Sequence, residues 1–160
     1  MTRTILVVCH GNTCRSVMAQ VMLERMLAAR GLGDRVKVTS GGIGPHARDG
    51  MIPSLDARIV LKEDGIVLAE DTIVSTDLRR HRDVLAAADV ILTMTAEQKD
   101  LVRAHAEGRG RAVVTLGELA GDGADIGDPM GQDEDRYRAT RDEIKRRLDA
   151  SLDRLLRLLD

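Results

Sequence analysis

Short apolar runs alternate with helical stretches along this 160-residue chain, and that alternation restricts its fold more than any other feature. Residues 4–8 (TILVV) form a continuous apolar run, the pattern of a strand covered on both faces. From 16 to about 30, Met18, Val21, Met22 and Met26 recur at helical spacing, and Gly31 and Gly33 stop the helix. Residues 36–40 alternate as a strand does, and 41–45 (GGIGP) reads as a loop. A helix is predicted over 53–64, with Leu55, Ile59 and Val60 on one face and Gly65 at its end. Residues 66–76 read as irregular, and a helix follows over 79–88. Residues 89–94 form a third strand, and Thr95 to Gln98 is a capping box opening a helix toward Glu107. Residues 112–116 are a fourth strand, 121–131 a Gly- and Asp-rich loop, and 135–160 a long amphipathic helix marked by Ile144, Leu148, Leu152, Leu155 and Leu159.

Strands that alternate with helices imply a parallel sheet with helices on both faces. The expectation is an α/β fold: one three-layer domain over residues 1–160, with a central four-stranded parallel sheet. The length suits one domain that buries a sizeable core without disulfide or metal staples. A net charge of -2 gives no field suited to nucleic acid, so no nucleic-acid partner is expected. No apolar run approaches the roughly 20 residues that span a bilayer, and residues 1–3 lead straight into a strand without a signal peptide. A cytoplasmic protein with no membrane partner and two reduced thiols is therefore expected.

Both cysteines lie in VVCHGNTCRS, residues 7–16, directly after the first strand. In parallel sheets ligands bind at the carboxyl ends of strands. Gly11 and Asn12 tolerate positive φ, so this loop can curl and turn several N–H groups toward one point at a helix start. Such a nest takes inorganic phosphate or a similar oxyanion, with the backbone of His10, Gly11, Asn12, Thr13 and Cys14 around it. The planar fork of Arg15 matches two phosphate oxygens. Cys9 lies on the floor, and the nucleophilic thiolate is favoured beside a helix N-terminus and an arginine. Phosphoryl transfer through a phosphocysteine follows as the chemistry, with charge on the equatorial oxygens met by the N–H groups and Arg15. The GxxxxGK[ST] nucleotide loop is absent, and Cys9, His10 and Cys14 lack zinc-site spacing, so neither a nucleotide, a metal nor another cofactor is expected. A general acid is still needed, and Asp128, held before Pro129 in the Gly/Asp-rich loop, is the candidate.

The string VCxGNxCRS, with Cys9 and Arg15 six positions apart, resembles the signature of the low-molecular-weight protein tyrosine phosphatase family. The likeness runs along nearly the whole chain. Ser40-Gly41-Gly42 is similar to the family's Ser-Ala-Gly segment, residues 88–95 (ADVILTMT) to its third strand, and Asp128-Pro129 falls where the family carries its acid. The resemblance implies a metal-free phosphomonoesterase acting on a phosphorylated protein substrate. In it Cys9 is the nucleophile, Arg15 the phosphate clamp and Asp128 the acid, then the base. Asn12, Ser16 and Ser40 support the loop and the thiolate. Cys14 is a redox partner able to form a reversible disulfide with Cys9. Val17 departs from the family's usual proline.

Substrate choice is read from Thr13 and Met130. Tyr137 is the single aromatic residue of the chain, whereas a phosphotyrosine pocket is walled by rings. Threonine in GNTCRS resembles the bacterial protein-arginine phosphatase branch, as does the DPMG…Y…TRDE pattern over 128–143, with Met130 where relatives carry Phe or Tyr. The Thr13 hydroxyl can accept from a guanidinium N–H. Phosphoarginine is the favoured substrate and phosphotyrosine the alternative. An arsenate reductase would need distal cysteines that the chain lacks, and a non-catalytic redox or anion sensor built on the Cys9/Cys14 pair would need no acid over the phosphate. The His10 side chain is expected outward, His46, His81 and His105 on the surface, and the run 79–82 (RRHR) on a solvated helix face.

Overall fold

The computed structural model describes residues 1–69 and 71–160; Glu70, inside the stretch read as irregular, lies outside the described residues. Four parallel strands, β1 (Arg3–Cys9), β2 (Val36–Gly42), β3 (Val90–Thr93) and β4 (Ala112–Thr115), form one sheet in the order β2-β1-β3-β4. Seven helices surround it among the described residues: α1 (Arg15–Ala29), α2 (Leu55–Glu63), α3 (Arg82–Ala87), α4 (Ala96–Arg103), α5 (Ala106–Arg109), α6 (Leu116–Ala120) and α7 (Glu134–Arg157). None of them is long and apolar enough to cross a membrane.

Strand β1 explains the layering. Ile5, Val7 and Cys9 face one way, into a cluster with α1 and α7 residues such as Met18, Leu23, Ile144 and Leu148. Leu6 and Val8 face the other way, against Ile91, Leu85 and Val102. An aliphatic side chain stabilises by about 1.5–3 kcal/mol when fully buried, the same range as phenylalanine, so a core with a single ring loses little. The lone ring, Tyr137, is itself buried on the α1/α7 side.

From β1 the chain goes through α1 to β2 on one side, and β3 lies on the other. The order therefore reverses at β1, which opens a crevice at the carboxyl ends of β1 and β3. The segment after Cys9 and the segment after Thr93 both run into that crevice.

Several elements differ from the sequence expectation. Gly41 and Gly42 are strand, not loop, pairing with Val8 and Cys9 of β1, and only glycine fits there: a Cβ on Gly41 would stand 2.6 Å from the Leu78 side chain, and one on Gly42 2.7 Å from the His10 carbonyl oxygen. Gly42→Ala is expected to cost about 1–3 kcal/mol by overpacking against backbone, read as a lowered urea midpoint. In α2 the buried face is Ala57, Val60 and Leu61, and Leu55 is exposed, because Ser54 caps the helix through the Ala57 N–H and sets its rotation. The helix expected over 79–88 is only α3, because the Asp77 carbonyl and carboxylate take the N–H groups of 79–81 into a turn. The helix toward Glu107 divides into α4 and α5, with Gly108 packed so tightly that a Cβ would meet the Val102 carbonyl oxygen at 2.4 Å. Helix α6 was not anticipated; Thr115 and Glu118 form its capping box directly at the end of β4.

Candidate active site

The loop between β1 and α1 curls through Asn12, whose φ of 59° is the one positive value outside glycine among the described residues. Asparagine tolerates that conformation better than most residues, and here its side chain secures it. Asn12 Nδ2 donates to Ser16 Oγ at 2.8 Å and to Ser40 Oγ at 2.9 Å, while Asn12 Oδ1 accepts from the Thr76 N–H at 3.0 Å. Ser40 in turn donates to Gln20 Oε1 at 2.6 Å, and Gln20 Nε2 donates to the Val38 carbonyl. Gln20 and Thr76 are participants that the sequence reading missed. Nothing local marks them, since they reach the loop from α1 and from the segment before α3.

This chain of donors has a direction. The Val38 carbonyl can only accept, which orients Gln20, then Ser40, then Asn12. Ser16 Oγ accepts from Asn12 and lies 3.1 Å from Cys9 Sγ, where its hydroxyl can donate to a Cys9 thiolate. The Asn12 backbone N–H donates to the same sulfur at 3.2 Å. A thiolate at Cys9 would find both the Asn12 N–H and the Ser16 hydroxyl within hydrogen-bond distance.

The N-terminus of α1 is open as well. Cys14 at the N-cap supplies no side-chain hydrogen bond to the helix N–H groups, and no acidic residue occupies the first turn. Arg15 stands there instead, buried, adding a cation at the positive end of the helix dipole. That placement opposes the usual preference unless an anion is to be met there. One Arg15 nitrogen donates to the Ile126 carbonyl at 2.8 Å, and the other lies 3.7 Å from Asp128 Oδ2. Asp128 is half-exposed and held by more than its proline: its Oδ1 accepts from the Met130 N–H at 3.0 Å. The structure thus brings Cys9, Arg15, Asp128, Asn12, Ser16 and Ser40 into one cluster.

The second thiol is in a different setting. Cys14 donates to Ser54 Oγ at 3.3 Å and lies 3.6 Å from the Tyr137 hydroxyl. Burial pushes the Cys14 thiol up, ahead of the hydrogen bonds that favour its thiolate, so Cys14 stays protonated. Burial and the Cys14 contact likewise push the Tyr137 phenol up. Both cysteines are free thiols.

Beyond the loop a groove of about 680 Å³ runs between His10, Thr13 and Arg15, the 44–51 segment, Thr95 and Glu97 after β3, and Asp128 and Met130. Tyr137 does not line it; its apolar surface includes Met51 and Met130, both exposed. The 44–51 wall is stapled from behind. The Arg79 guanidinium grips Asp77 through two nitrogens and also donates to the Pro45 and Ala47 carbonyls. Asp49 accepts from the Asp77 N–H at 2.7 Å and pairs with His81 Nε2 at 2.8 Å. Arg79 and His81 are exposed, as expected of the run, but they precede α3 and are tied to this wall rather than standing on a helix face. The His10 side chain is not free either: its Nδ1 lies 2.6 Å from Gln98 Nε2.

A model of the family described as low molecular weight phosphotyrosine protein phosphatase matches residues 4–158. The chain belongs to that family. A protein-arginine-phosphatase of Geobacillus stearothermophilus is 35% identical over 156 residues, covering 97% of each chain. A probable low molecular weight protein-tyrosine-phosphatase, EpsP, of Ralstonia nicotianae is 32% identical over 161 residues, again covering 97% of each. Among solved structures, a cysteine-to-serine mutant of the YwlE arginine phosphatase with a phosphorylated active-site serine superimposes with a TM-score of 0.84 at 33% identity, covering 97% of this chain and 99% of that one. The low molecular weight phosphatases act on phosphorylated proteins, and this chain is an enzyme of that kind.

Proposed function

We propose that the enzyme dephosphorylates proteins through a phosphocysteine on Cys9, with phosphoarginine as the substrate. The observation that carries the mechanism is the setting of Cys9 Sγ, which accepts from the Asn12 N–H and lies 3.1 Å from a Ser16 hydroxyl able to donate to its thiolate. The Cys9 thiolate attacks phosphorus while the bond from phosphorus to the leaving nitrogen breaks, and Asp128 gives that nitrogen its proton. The Asp128 carboxylate then takes a proton from the water that attacks the phosphocysteine, releasing inorganic phosphate and restoring the thiolate. Arg15 and the N–H groups of residues 10–15 hold the equatorial oxygens throughout. No metal or other cofactor enters these steps. The phosphorylated serine in the YwlE mutant supports a covalent phosphoryl group at the position matching Cys9. Cys14, kept as a thiol, is the redox partner of Cys9 in this reading. The chemistry belongs to a single domain over residues 1–160 working in the cytoplasm.

Two features favour phosphoarginine: the groove has no aromatic wall, and Thr13, which lines it, has a hydroxyl that can accept from a guanidinium N–H. Asp128 offers a second acceptor. Phosphotyrosine is the second reading, favoured by the name of the Ralstonia relative and by the apolar surface of Met51 and Met130.

Steady-state hydrolysis of matched phosphoarginine and phosphotyrosine peptides, in reductant and EDTA, tests the substrate. The phosphoarginine peptide is expected to be preferred, and Thr13→Ile to lower its kcat/KM by about tenfold, the loss of one hydrogen bond to a charged group. An equal loss on both peptides, or a phosphotyrosine preference in the parent, sinks the assignment.

A further inference from the structure

We infer that His10 is a specificity-determining residue, locked by Gln98 in its Nε2–H tautomer, and that this N–H and the Glu97 carboxylate together read the main chain of a polypeptide substrate. The inference rests on the proposed phosphate site at residues 9–16. Gln98 is fully buried in the first turn of α4. Its Oε1 accepts from the Met94 N–H at 3.0 Å and from the Thr95 N–H at 3.1 Å. Two backbone donors settle which end of the amide is oxygen, so Nε2 is the atom that faces His10. At 2.6 Å that nitrogen must donate, and His10 Nδ1 must carry a lone pair. The imidazole proton is therefore on Nε2. Turning the amide would set its NH₂ against two backbone N–H groups, so the tautomer is held by the cap of α4.

The ring is also fixed from behind. A Cβ on Gly44 would stand 3.0 Å from both Cβ and Cδ2 of His10, so glycine leaves just enough room for the imidazole. On the open side, Nε2 lies 3.6 Å from Glu97 Oε2, and both side chains line the groove that contains Thr13, Arg15 and Asp128. The phosphoryl group belongs in the small nest lined by Cys9, residues 11–15 and Asp128, so the adjoining 680 Å³ groove is left for the substrate side chain and the polypeptide around it. A donor and an acceptor side by side are what one extended residue offers to a neighbouring strand, and an extended substrate pairs with them through its own C=O and N–H.

The lock is read by nitrogen–proton correlation spectra of the labelled full chain. His10 is expected to show a bare Nδ1 and a protonated Nε2; a proton on Nδ1 would overturn the inference. Gln98→Glu keeps acceptors for Met94 and Thr95 but turns a carboxylate oxygen to Nδ1, drawing the proton there. With it, KM for a phosphopeptide is expected to rise about tenfold, as for one lost hydrogen bond. Constants for para-nitrophenyl phosphate, which has no main chain, are expected to hold within about twofold, which is under half a kcal/mol. Gly44→Ala crowds the ring without touching α4 and is expected to raise the peptide KM as well, should the α4 variant fold poorly. Equal changes on both substrates, or an unchanged peptide KM in both variants, overturn the inference. The nitrogen spectrum reports the lock whatever the loop does. Cys9-dependent turnover of the aryl ester reports the loop whatever the lock does, so the two failures are separable.

Discussion

Replacing Cys9 by serine is expected to lower turnover by roughly 10⁴-fold or more, on every phosphate ester tried, because the proposed mechanism then loses its nucleophile outright. The substitution is close to isosteric at a buried position, and the two donors that face Sγ can face a hydroxyl oxygen equally well. Folding and anion binding are therefore expected to persist. Phosphorus NMR should still report binding of inorganic phosphate, and thermal unfolding should fall within a few degrees of the parent. Intact mass after incubation with a good phosphoryl donor should reveal one phosphoryl group on the introduced serine, since the acid–base partner remains but an oxygen ester resists hydrolysis. A variant that turns over at the parent rate would remove Cys9 from the chemistry and with it the phosphocysteine.

Asp128→Asn should separate the acid from the nucleophile. Asparagine keeps the oxygen that accepts from the Met130 N–H, so the loop should hold its shape. It cannot give or take the proton. General acid–base catalysis contributes about 10²–10⁴-fold, and kcat on a phosphopeptide is expected to fall by that much. The deficit should shrink for para-nitrophenyl phosphate, whose leaving oxygen departs without a proton. The loss of a carboxylate 3.7 Å from Arg15 should also change phosphate affinity, in the direction of tighter binding, because one negative charge no longer faces the anion. An equal loss on both substrates would mean that Asp128 acts on the loop rather than on the leaving group.

Much of this architecture was legible because its signals are local. The apolar runs of the four strands, the helical periodicity of α1 and α7, and the curl of Gly11-Asn12 before a helix all lie within a few residues of what they specify. What was not legible depends on residues far apart in the chain. Gly41 and Gly42 read as loop because glycine is usually a breaker; they pair with Val8 and Cys9 of β1, and they are glycine because Leu78 and the His10 carbonyl approach so closely. The capping box at Thr95 was visible, yet nothing in it indicates that the same Gln98 reaches His10, 88 positions earlier. The RRHR run looked like a solvated face because charge runs usually are, and its partners Asp77 and Asp49 come from a turn and from the far wall of the groove. Tyr137 could have been core or rim; only the packing of α7 against α1 puts its hydroxyl beside Cys14.

The attachment of the 44–51 segment to Arg79, Asp77 and His81 has a consequence for how such an enzyme changes over generations. The floor of the site hangs from β1 and α1, whereas the 44–51 wall is anchored by Arg79, Asp77 and His81 and meets the floor at a few backbone N–H bonds, the Gly44 N–H on the His10 carbonyl and the Thr76 N–H on Asn12 among them. Substitutions in the wall and its anchor can accumulate as a block, reshaping what is admitted while the reaction beneath continues at its own pace. Selection can then act on choice of substrate and on speed of turnover as two partly separate traits, coupled where the Gly44 and Ser54 N–H groups hold the His10 and Thr13 carbonyls of the loop.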